Sequence, residues 1–368
     1  MSPAEDRFGE LAKGAIAEGA FPGAVLRVEG RSALLFEGAW GDALFAEGDR
    51  VPMAVSTIFD LASVSKLFTT TAVLRLASLG ELSLSETVAS LYRRLYAGRD
   101  AEEGVLVRLQ ASLKKIDVAD LLSHASGIHY WHPFYIERAR SFEEQLADVL
   151  EAHPPNGEVV YSDLNFMILG RLVETLAARP LPDAMHSLVF EPLGLARTSY
   201  RGPLGPAAST EFGNRIERKM VANLGLSFDG WRDESAPISG EPDDGNCFYF
   251  FRGAAGHAGV FSDARDLCAL GRLYLDGGRT ARGAFLDPEL ASAALRERRG
   301  GRGLGFQLGE NYPGGGSGHA GFTGSYLYVS RKAGLVIALL TNRLHEERPR
   351  DINPVRRRFS ETALELFA

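Results

Sequence analysis

The chain has 368 residues, of which 45% are hydrophobic and 24% charged, as in ordinary soluble globular proteins. Its formal net charge of −7 argues against a nucleic-acid partner, which would require a basic face. Two cysteines, Cys247 and Cys268, make no disulfide framework and lack metal-ligand spacing. No apolar run approaches the ~20 residues that span a bilayer, and the acidic N-terminal stretch does not resemble a signal peptide. We therefore expect a cytoplasmic protein.

The first predicted element is an amphipathic helix, in which Phe8, Leu11, Ala12 and Ile16 recur at helical spacing. Two hairpin strands follow at residues 23–30 and 32–41, and residues 325–343 contain two more, which turn at residues 332–334. A closing helix occupies residues 357–368. Most segments between these ends have helical patterns: Lys66–Leu79, Val118–Ser123, Phe142–Ala152, Leu164–Ala178 and Ala264–Leu275.

Strands at both ends of the chain, with helices between them, predict one sheet built from both termini and interrupted by a helical insert. We expect a discontinuous sheet domain of residues 1–70 plus 255–368 and a mainly helical domain of residues 71–254. Nothing repeats at a fixed period, which argues against a solenoid or a propeller.

The stretch DLASVSKLFTT, residues 60–70, is the first candidate for chemistry. A helix is predicted to begin near Ser63, and residues three apart share a helix face, so Ser63 and Lys66 point the same way. A neutral lysine that is shielded from water beside a serine can accept the proton of the serine hydroxyl. A helix N-terminus favours the negative charge that then develops on the serine oxygen. The same pattern also fits a purely structural interpretation, with Ser63 as an N-cap.

Two distant stretches add polar side chains beside predicted elements. VVYSDLNFMILGRLVETLA places a Tyr and an Asp just ahead of a helix, and GHAGFTGSYLYV places a His and a Gly at the mouth of a strand. In this order the motifs resemble those of the class C β-lactamase-related serine hydrolases, which carry Ser-x-x-Lys, Tyr-x-Asn and Lys/His-x-Gly. Here they stand at Ser63/Lys66, Tyr161/Asp163 and His319/Gly321.

Further stretches, among them LLSHASGI and AAGHAGVFSDARDLCALGRLYLDGG, extend the resemblance over nearly the whole chain, most clearly to the penicillin-binding-protein-like and esterase-like branches. The resemblance implies a β-lactamase/transpeptidase-like α+β fold, in which an antiparallel sheet flanked by helices is interrupted by an all-α domain. It also implies that the active site lies at the junction of the two domains.

The resemblance further implies roles for individual residues. Ser63 would be the acylated nucleophile, and Lys66 would lower the proton affinity of its neighbours, by charge or as a base. Tyr161 would be the general base and then protonate the leaving group. Backbone N–H groups of Ser63 and Phe322 would form the oxyanion hole. His319 would hydrogen-bond Tyr161 or the substrate.

Three departures from the family pattern narrow the expected substrates. Asp163 stands where Asn is usual, and an ionised carboxylate only accepts hydrogen bonds, although it could hold Lys66 as an ion pair. His319 replaces a lysine and Ala320 a hydroxyl residue, which weakens recognition of the β-lactam carboxylate. Thr323 is a candidate to restore that hydroxyl. The predicted substrate-binding residues are Asp163, Ala320, Gly321 and Thr323.

We therefore expect a serine hydrolase that acts on esters, small amides or D-amino-acid peptides, with weak or no β-lactamase activity and with no metal or organic cofactor. A penicillin-binding D,D-peptidase is the alternative of the same fold, and an inactive ligand-binding or scaffolding relative is the alternative of another class. The partner is a small-molecule substrate, with no nucleic acid and no membrane span. The natural substrate, the first base and the oligomeric state stay open.

Some residues near the motifs admit more than one interpretation. His257 is expected to support a turn near the site, and His124 is expected to be structural. The aromatic runs at residues 130–135 and 246–251 fit either a cap on the helical domain or a hydrophobic wall for the acyl group.

Overall fold

The computed structural model describes residues 2–46, 49–96 and 103–368. Its helices are α1 Pro3–Ala17, α2 Ser65–Ser78, α3 Val88–Tyr96, α4 Glu103–Leu113, α5 Val118–Leu122, α6 Phe142–Ala152, α7 Asp163–Ala177, α8 Leu181–Met185, α9 Glu191–Leu193, α10 Arg215–Asn223, α11 Ala264–Leu275, α12 Pro288–Ala294 and α13 Asn353–Phe367. Its strands are β1 Gly23–Glu29, β2 Leu34–Ala46, β3 Asp49–Pro52, β4 Phe59–Asp60, β5 Ser199–Tyr200, β6 Val260–Ser262, β7 Arg279–Thr280, β8 Gly283–Ala284, β9 Ser317–Ala320, β10 Tyr326–Ser330 and β11 Leu335–Thr341.

Six strands form the main sheet, in the order β3-β2-β1-β11-β10-β9, and every pairing in it is antiparallel. Its central pair joins the two ends of the chain, with Leu26 opposite Leu339. Helices α1 and α13 cover one face, and α11 covers the other, so that two hydrophobic cores lie on either side of the sheet. An antiparallel sheet built from both termini and flanked by helices is therefore confirmed.

Local sequence signals explain several element boundaries. A capping box formed by Ser2 and Glu5 starts α1, and Ser141 with Glu144 starts α6 in the same way. The structure has α6 and α11 at the predicted residues. The helix predicted to begin near Ser63 begins at Ser65, and Ser63 lies just before its first turn, in a 3-10 turn of residues Ala62–Val64.

A small antiparallel sheet, β4-β6-β5, carries the chain into that 3-10 turn. Sequence patterns predicted the short helix α5 but not β3, β9 or the other short helices, which give too short a window for periodicity. Within the described part of the chain, no helix combines the length and the apolar composition that crossing a membrane requires.

Candidate active site

Ser63 lies in the 3-10 turn between β4 and α2 and is half-buried. The residue before it, Ala62, has a φ of 45°, and its N–H donates to Asp60 Oδ1 at 2.9 Å. This left-handed conformation costs a non-glycine residue of the order of 1–2 kcal/mol. Backbone strain is thus stored directly before the predicted nucleophile, where it sets the direction of the Ser63 peptide.

Lys66 is fully buried one turn further along. Its Nζ donates to Ser63 Oγ at 3.0 Å and to the carbonyl oxygen of His257 at 3.1 Å, and it lies 2.8 Å from Asp163 Oδ1. Burial alone would lower the pKa of Lys66, but the Asp163 carboxylate outweighs burial and the pKa is raised. The expected ion pair is present, and Lys66 is an ammonium at neutral pH.

Tyr161 stands two residues before Asp163, the first residue of α7. Tyr161 lies beside the side chains of Ser63 and Lys66, and Lys66 Nζ lies 5.1 Å from the Tyr161 ring centroid. Burial raises the pKa of Tyr161, whereas the Lys66 ammonium acts in the opposite direction. The phenol is therefore protonated at rest, next to a cation that would stabilise its phenolate.

His124 holds the segment that carries Tyr161. Its Nδ1 accepts a hydrogen bond from the Ser162 N–H at 3.0 Å, and its ring centroid lies 4.5 Å from that of Tyr161. Burial lowers the pKa of His124 well below its usual range, with the Lys66 charge adding to the effect. A neutral ring is thus packed beneath the tyrosine, as a structural role requires.

His319 lies in β9 and is fully buried. Its Nδ1 donates to the Ala320 carbonyl oxygen at 3.0 Å, and its Nε2 faces Gln307 Nε2 at 3.4 Å. Burial and the Lys66 charge hold the pKa of His319 well below its usual range, so the ring is neutral. His319 was expected to hydrogen-bond Tyr161 or the substrate. Its ring nitrogens face Ala320 and Gln307 here, and its ring centroid lies 6.1 Å from that of Tyr161.

The turn after β9 is fastened to the chain just before Ser63. Thr323 Oγ1 donates to the Asp60 carbonyl at 2.8 Å, and Ser325 Oγ donates to the Leu61 carbonyl at 2.6 Å. Gly321 allows this close approach, because a Cβ there would lie 2.0 Å from Ser325 Oγ and 2.5 Å from the Leu61 oxygen. Thr323, the candidate to restore the hydroxyl absent at Ala320, lines the cavity and donates its hydroxyl proton to the Asp60 carbonyl.

A cavity of about 220 Å³ opens beside Ser63. Phe322, which is 45% exposed, lines it from the turn, and Trp131 lines it from the helical insert. The other lining residues are Ala62, Ser63, Tyr161, Asp163, Glu211, Ile216, Glu217, Met220, Asp243, Asp244, Ala258 and Thr323. Lys66 and His319 are buried outside this lining. Ala320, the last residue of β9, and Gly321, which follows it, do not line the cavity either.

Several contacts near the site carried no sequence signal. His257 was expected to support a turn, but the structure also has its Nε2 at 2.9 Å from Asp244 Oδ1. The guanidinium carbon of Arg302 lies 5.3 Å from the Tyr161 ring centroid. The carboxylates of the cavity come from separate loops and helices, so no spacing rule could have grouped them.

Comparison with known proteins agrees with this geometry. A family model described as Beta-lactamase matches residues 8–360. The chain belongs to the beta-lactamase family. It is an enzyme of the β-lactamase-fold serine hydrolases, as the order of its three motifs predicted.

Individual relatives span most of the chain. An N-acetylmuramyl-L-alanine amidase of Bacillus subtilis (strain 168) is 30% identical over 353 residues, which cover 88% of this chain and 78% of the relative. The D-amino acid amidase of Ochrobactrum anthropi SV3 superposes with a TM-score of 0.70 at 18% identity and covers 99% of this chain and 100% of its own. A penicillin-binding protein homolog from Caulobacter crescentus gives a TM-score of 0.65 at 19% identity, with 99% and 98% covered. The β-lactamase/transpeptidase-like fold is confirmed.

Proposed function

We propose that this protein hydrolyses esters, small amides or D-amino-acid peptides through an acyl-enzyme at Ser63. The observation that carries the proposal is the 3.0 Å contact between the buried Lys66 ammonium and Ser63 Oγ, beside the Tyr161 hydroxyl and at the wall of a cavity. The relative at 30% identity is named as an amidase, which favours amides among these substrates.

In the acylation step, Ser63 Oγ attacks the carbonyl carbon of the substrate as its proton passes to the Tyr161 oxygen. The reacting form is the fraction of the enzyme in which Tyr161 has already lost its own proton to solvent, and the Lys66 ammonium beside it favours this phenolate. The carbonyl oxygen becomes an oxyanion, for which the N–H groups of Ser63 and Phe322 are the proposed donors. Loss of one such donor typically costs about 3–4 kcal/mol in the transition state.

When the tetrahedral intermediate collapses, Tyr161 gives its proton to the leaving oxygen or nitrogen, and an ester of Ser63 remains. Water then attacks this ester, with Tyr161 again accepting the proton, and Ser63 recovers its own proton as the acid departs. Lys66 stays an ammonium throughout, because Asp163 neutralises it in a fully buried position.

A fluorophosphonate probe with intact-mass detection tests the proposal. The wild type is expected to gain one adduct, which peptide mapping places on Ser63, and to hydrolyse p-nitrophenyl acetate. Ser63→Ala should lose both, whereas Ser65→Ala, a control in the same helix start, should keep the adduct. A wild type that neither reacts with the probe nor hydrolyses the ester would favour the inactive ligand-binding or scaffolding relative.

A D,D-carboxypeptidase is a second candidate, and Arg302 is the observation that favours it. Its Nη1 is buried without a hydrogen-bond partner among the described residues, next to the Tyr161 ring. An Arg in this position suits the C-terminal carboxylate of a peptide leaving group. Labelling by a fluorescent penicillin, together with release of D-alanine from a peptide that is slower in Arg302→Leu than in the wild type, would support this candidate. If the wild type shows neither labelling nor D-alanine release but keeps its esterase activity, the candidate is rejected.

Two broader assignments belong to the same proposal. The division into a sheet domain of residues 1–70 plus 255–368 and a helical domain of residues 71–254 would place the Ser63 cavity at the domain junction. The cytoplasmic location also stays a prediction from the sequence, and cell fractionation with a tagged full-length chain tests it.

A further inference from the structure

A second and larger cavity lies away from Ser63. Its volume of about 770 Å³ is within the range of small-molecule sites, and among the described residues none lines both cavities. Five arginines line it, and we call it the arginine groove: Arg31, Arg272, Arg279, Arg282 and Arg331.

These arginines come from four separate segments of the chain. Arg31 follows β1, Arg272 lies in α11, Arg279 and Arg282 belong to the β7–β8 hairpin, and Arg331 lies in the turn between β10 and β11. A run of basic residues along one element therefore does not explain their proximity. In a chain with a formal net charge of −7, the fold itself collects this positive charge.

Hydrogen bonds bring three of the segments to one end of α11. Arg31 Nη1 donates to the carbonyl oxygen of Leu275, the last residue of α11, at 3.3 Å, and Arg31 Nη2 donates to that of Arg331 at 3.0 Å. A Cβ at Gly277 would lie 3.6 Å from Arg331 Nη2, so this guanidinium lies over the turn that leads from α11 into β7. The hairpin with the remaining arginines starts directly after that turn.

Acidic side chains neutralise only part of the charge. Asp276 is the one carboxylate in the described lining, and its Oδ1 lies 3.6 Å from Arg31 Nη1. Both side chains are exposed, so water screens the pair. Arg272 has its partner outside the lining, with its Nε 3.0 Å from Glu29 Oε2, and Glu29 is shared with Arg27.

The two arginines of the hairpin have no counter-ion. Arg279 and Arg282 are exposed, and within the described ranges neither side chain has an ion pair or a hydrogen bond. The lining thus carries five positive charges against one negative charge, a formal excess of four. Since like charges repel each other, a ligand that brings negative charge into the groove lowers its electrostatic energy.

The side-chain chemistry indicates which anion fits. The planar guanidinium fork binds phosphate through two parallel hydrogen bonds. One phosphate group carries about −1.5 to −2 charges at pH 7 and three acceptor oxygens, so two such groups balance the excess of four. Pro192, Leu193 and Leu273 add apolar surface for an organic part. A concave site of this size on an acidic chain suits a small molecule rather than a nucleic acid or an anionic membrane.

We propose that the arginine groove binds a small organic molecule that carries two phosphate groups. Arg279 and Arg282 hold one end of the phosphate pair, and Arg31 and Arg331 hold the other. This site is independent of the hydrolase chemistry at Ser63.

Calorimetric titration of the full chain with pyrophosphate tests the inference, in about 0.15 M sodium chloride, which screens weak surface attraction. We expect saturable binding of one pyrophosphate per chain. Citrate, whose carboxylates offer two acceptor oxygens each instead of three, should bind at least about tenfold more weakly. Citrate that binds as tightly as pyrophosphate would overturn the assignment to phosphate.

Variants identify the residues responsible. Arg279→Gln and Arg282→Gln should each weaken pyrophosphate binding by about tenfold, the effect of one charge-assisted contact. Both side chains are exposed, so the fold should be kept, which circular dichroism checks. Arg138→Gln is the matched control, because it removes an exposed arginine outside the groove that also lacks an ion pair among the described residues. It should leave the affinity unchanged.

The outcomes separate this inference from the hydrolase proposal. Ser63→Ala should bind pyrophosphate as the wild type does, whether or not the wild type is a hydrolase. Absence of saturable binding, or an equal loss of affinity in Arg138→Gln and the two groove variants, would overturn the site. Sedimentation with phosphatidylglycerol vesicles in place of pyrophosphate binding would also overturn it, in favour of a membrane surface.

Discussion

Replacement of Asp163 by Asn removes the anionic partner of Lys66 without changing the shape of the side chain. Lys66 is fully buried, and the Asp163 side chain is 20% exposed, so water screens the pair only weakly. Removal of one partner from a buried ion pair costs about 3–5 kcal/mol. Asn keeps an oxygen acceptor, and Ser63 and His257 still accept hydrogen bonds from Lys66. We therefore expect the free energy of unfolding to fall by about 3 kcal/mol at neutral pH, the lower end of this range.

The pH dependence of this loss has a definite sign. In the wild type the pKa of Lys66 is raised, so its contribution to stability is complete below the ordinary lysine pKa of about 10.4 and is lost only above it. In Asp163→Asn no carboxylate offsets the effect of burial, so the pKa of Lys66 is lowered and the buried ammonium destabilises the folded state. The penalty is largest at pH 7 and shrinks as the pH rises toward 10, because the folded variant can then hold neutral lysine.

Thermal unfolding followed by circular dichroism at pH 7, 8, 9 and 10 measures this loss. At about 2–4 °C per kcal/mol, the variant should unfold roughly 10 °C below the wild type at pH 7, with a smaller gap at pH 10. Glu361→Gln breaks the exposed pair with Arg357, which water screens, and should leave the unfolding temperature close to that of the wild type at every pH. An Asp163→Asn protein within about 1 °C of the wild type at pH 7, or a gap that does not narrow, would refute the assigned Lys66 charge.

Three further outcomes follow from the same site. Gly321→Ala brings a Cβ to 2.0 Å from Ser325 Oγ and displaces the Phe322 N–H. We expect kcat to fall by about 10²–10³-fold, with a circular dichroism spectrum like that of the wild type. An unchanged kcat would contradict the proposed oxyanion hole. Ala62→Gly removes the steric strain of the 45° φ at this position and should raise the free energy of unfolding by at most about 1 kcal/mol. A urea titration that shows a clearly lower free energy of unfolding would contradict strain at Ala62. Nitrocefin turnover should stay far below that of a dedicated β-lactamase, because the neutral, buried His319 offers no fixed charge, and comparable turnover would contradict this.

The sequence predicted the parts of this protein whose signal is local or ordered along the chain. Helices with a clear apolar face, such as α6 and α11, appear at the predicted residues, and capping residues mark their starts. Ser63 and Lys66 were found because three positions along a helix start bring two side chains together. The family followed from the order of three motifs rather than from any one of them.

The remainder depended on contacts that no local pattern encodes. Thr323 looks like a free hydroxyl in the sequence, and only the folded chain brings the Asp60 carbonyl to it. His319 looks like a site residue, yet its neighbours take both ring nitrogens. Glu217 and Asp243 are separated by a polar loop, and their shared cavity arises from tertiary packing alone.

The ties between the turn after β9 and the Ser63 turn also bear on how the protein is made. Thr323 reaches the Asp60 carbonyl across 263 positions of the chain, and Ser325 reaches that of Leu61 across 264. A ribosome therefore releases the Ser63 turn long before the segment that fixes it, and synthesis proceeds at about 5–20 residues per second. A nascent chain or a truncated product that lacks residues 318–330 should carry the nucleophile without the means to use it, so that hydrolytic activity begins only after these residues have been synthesised.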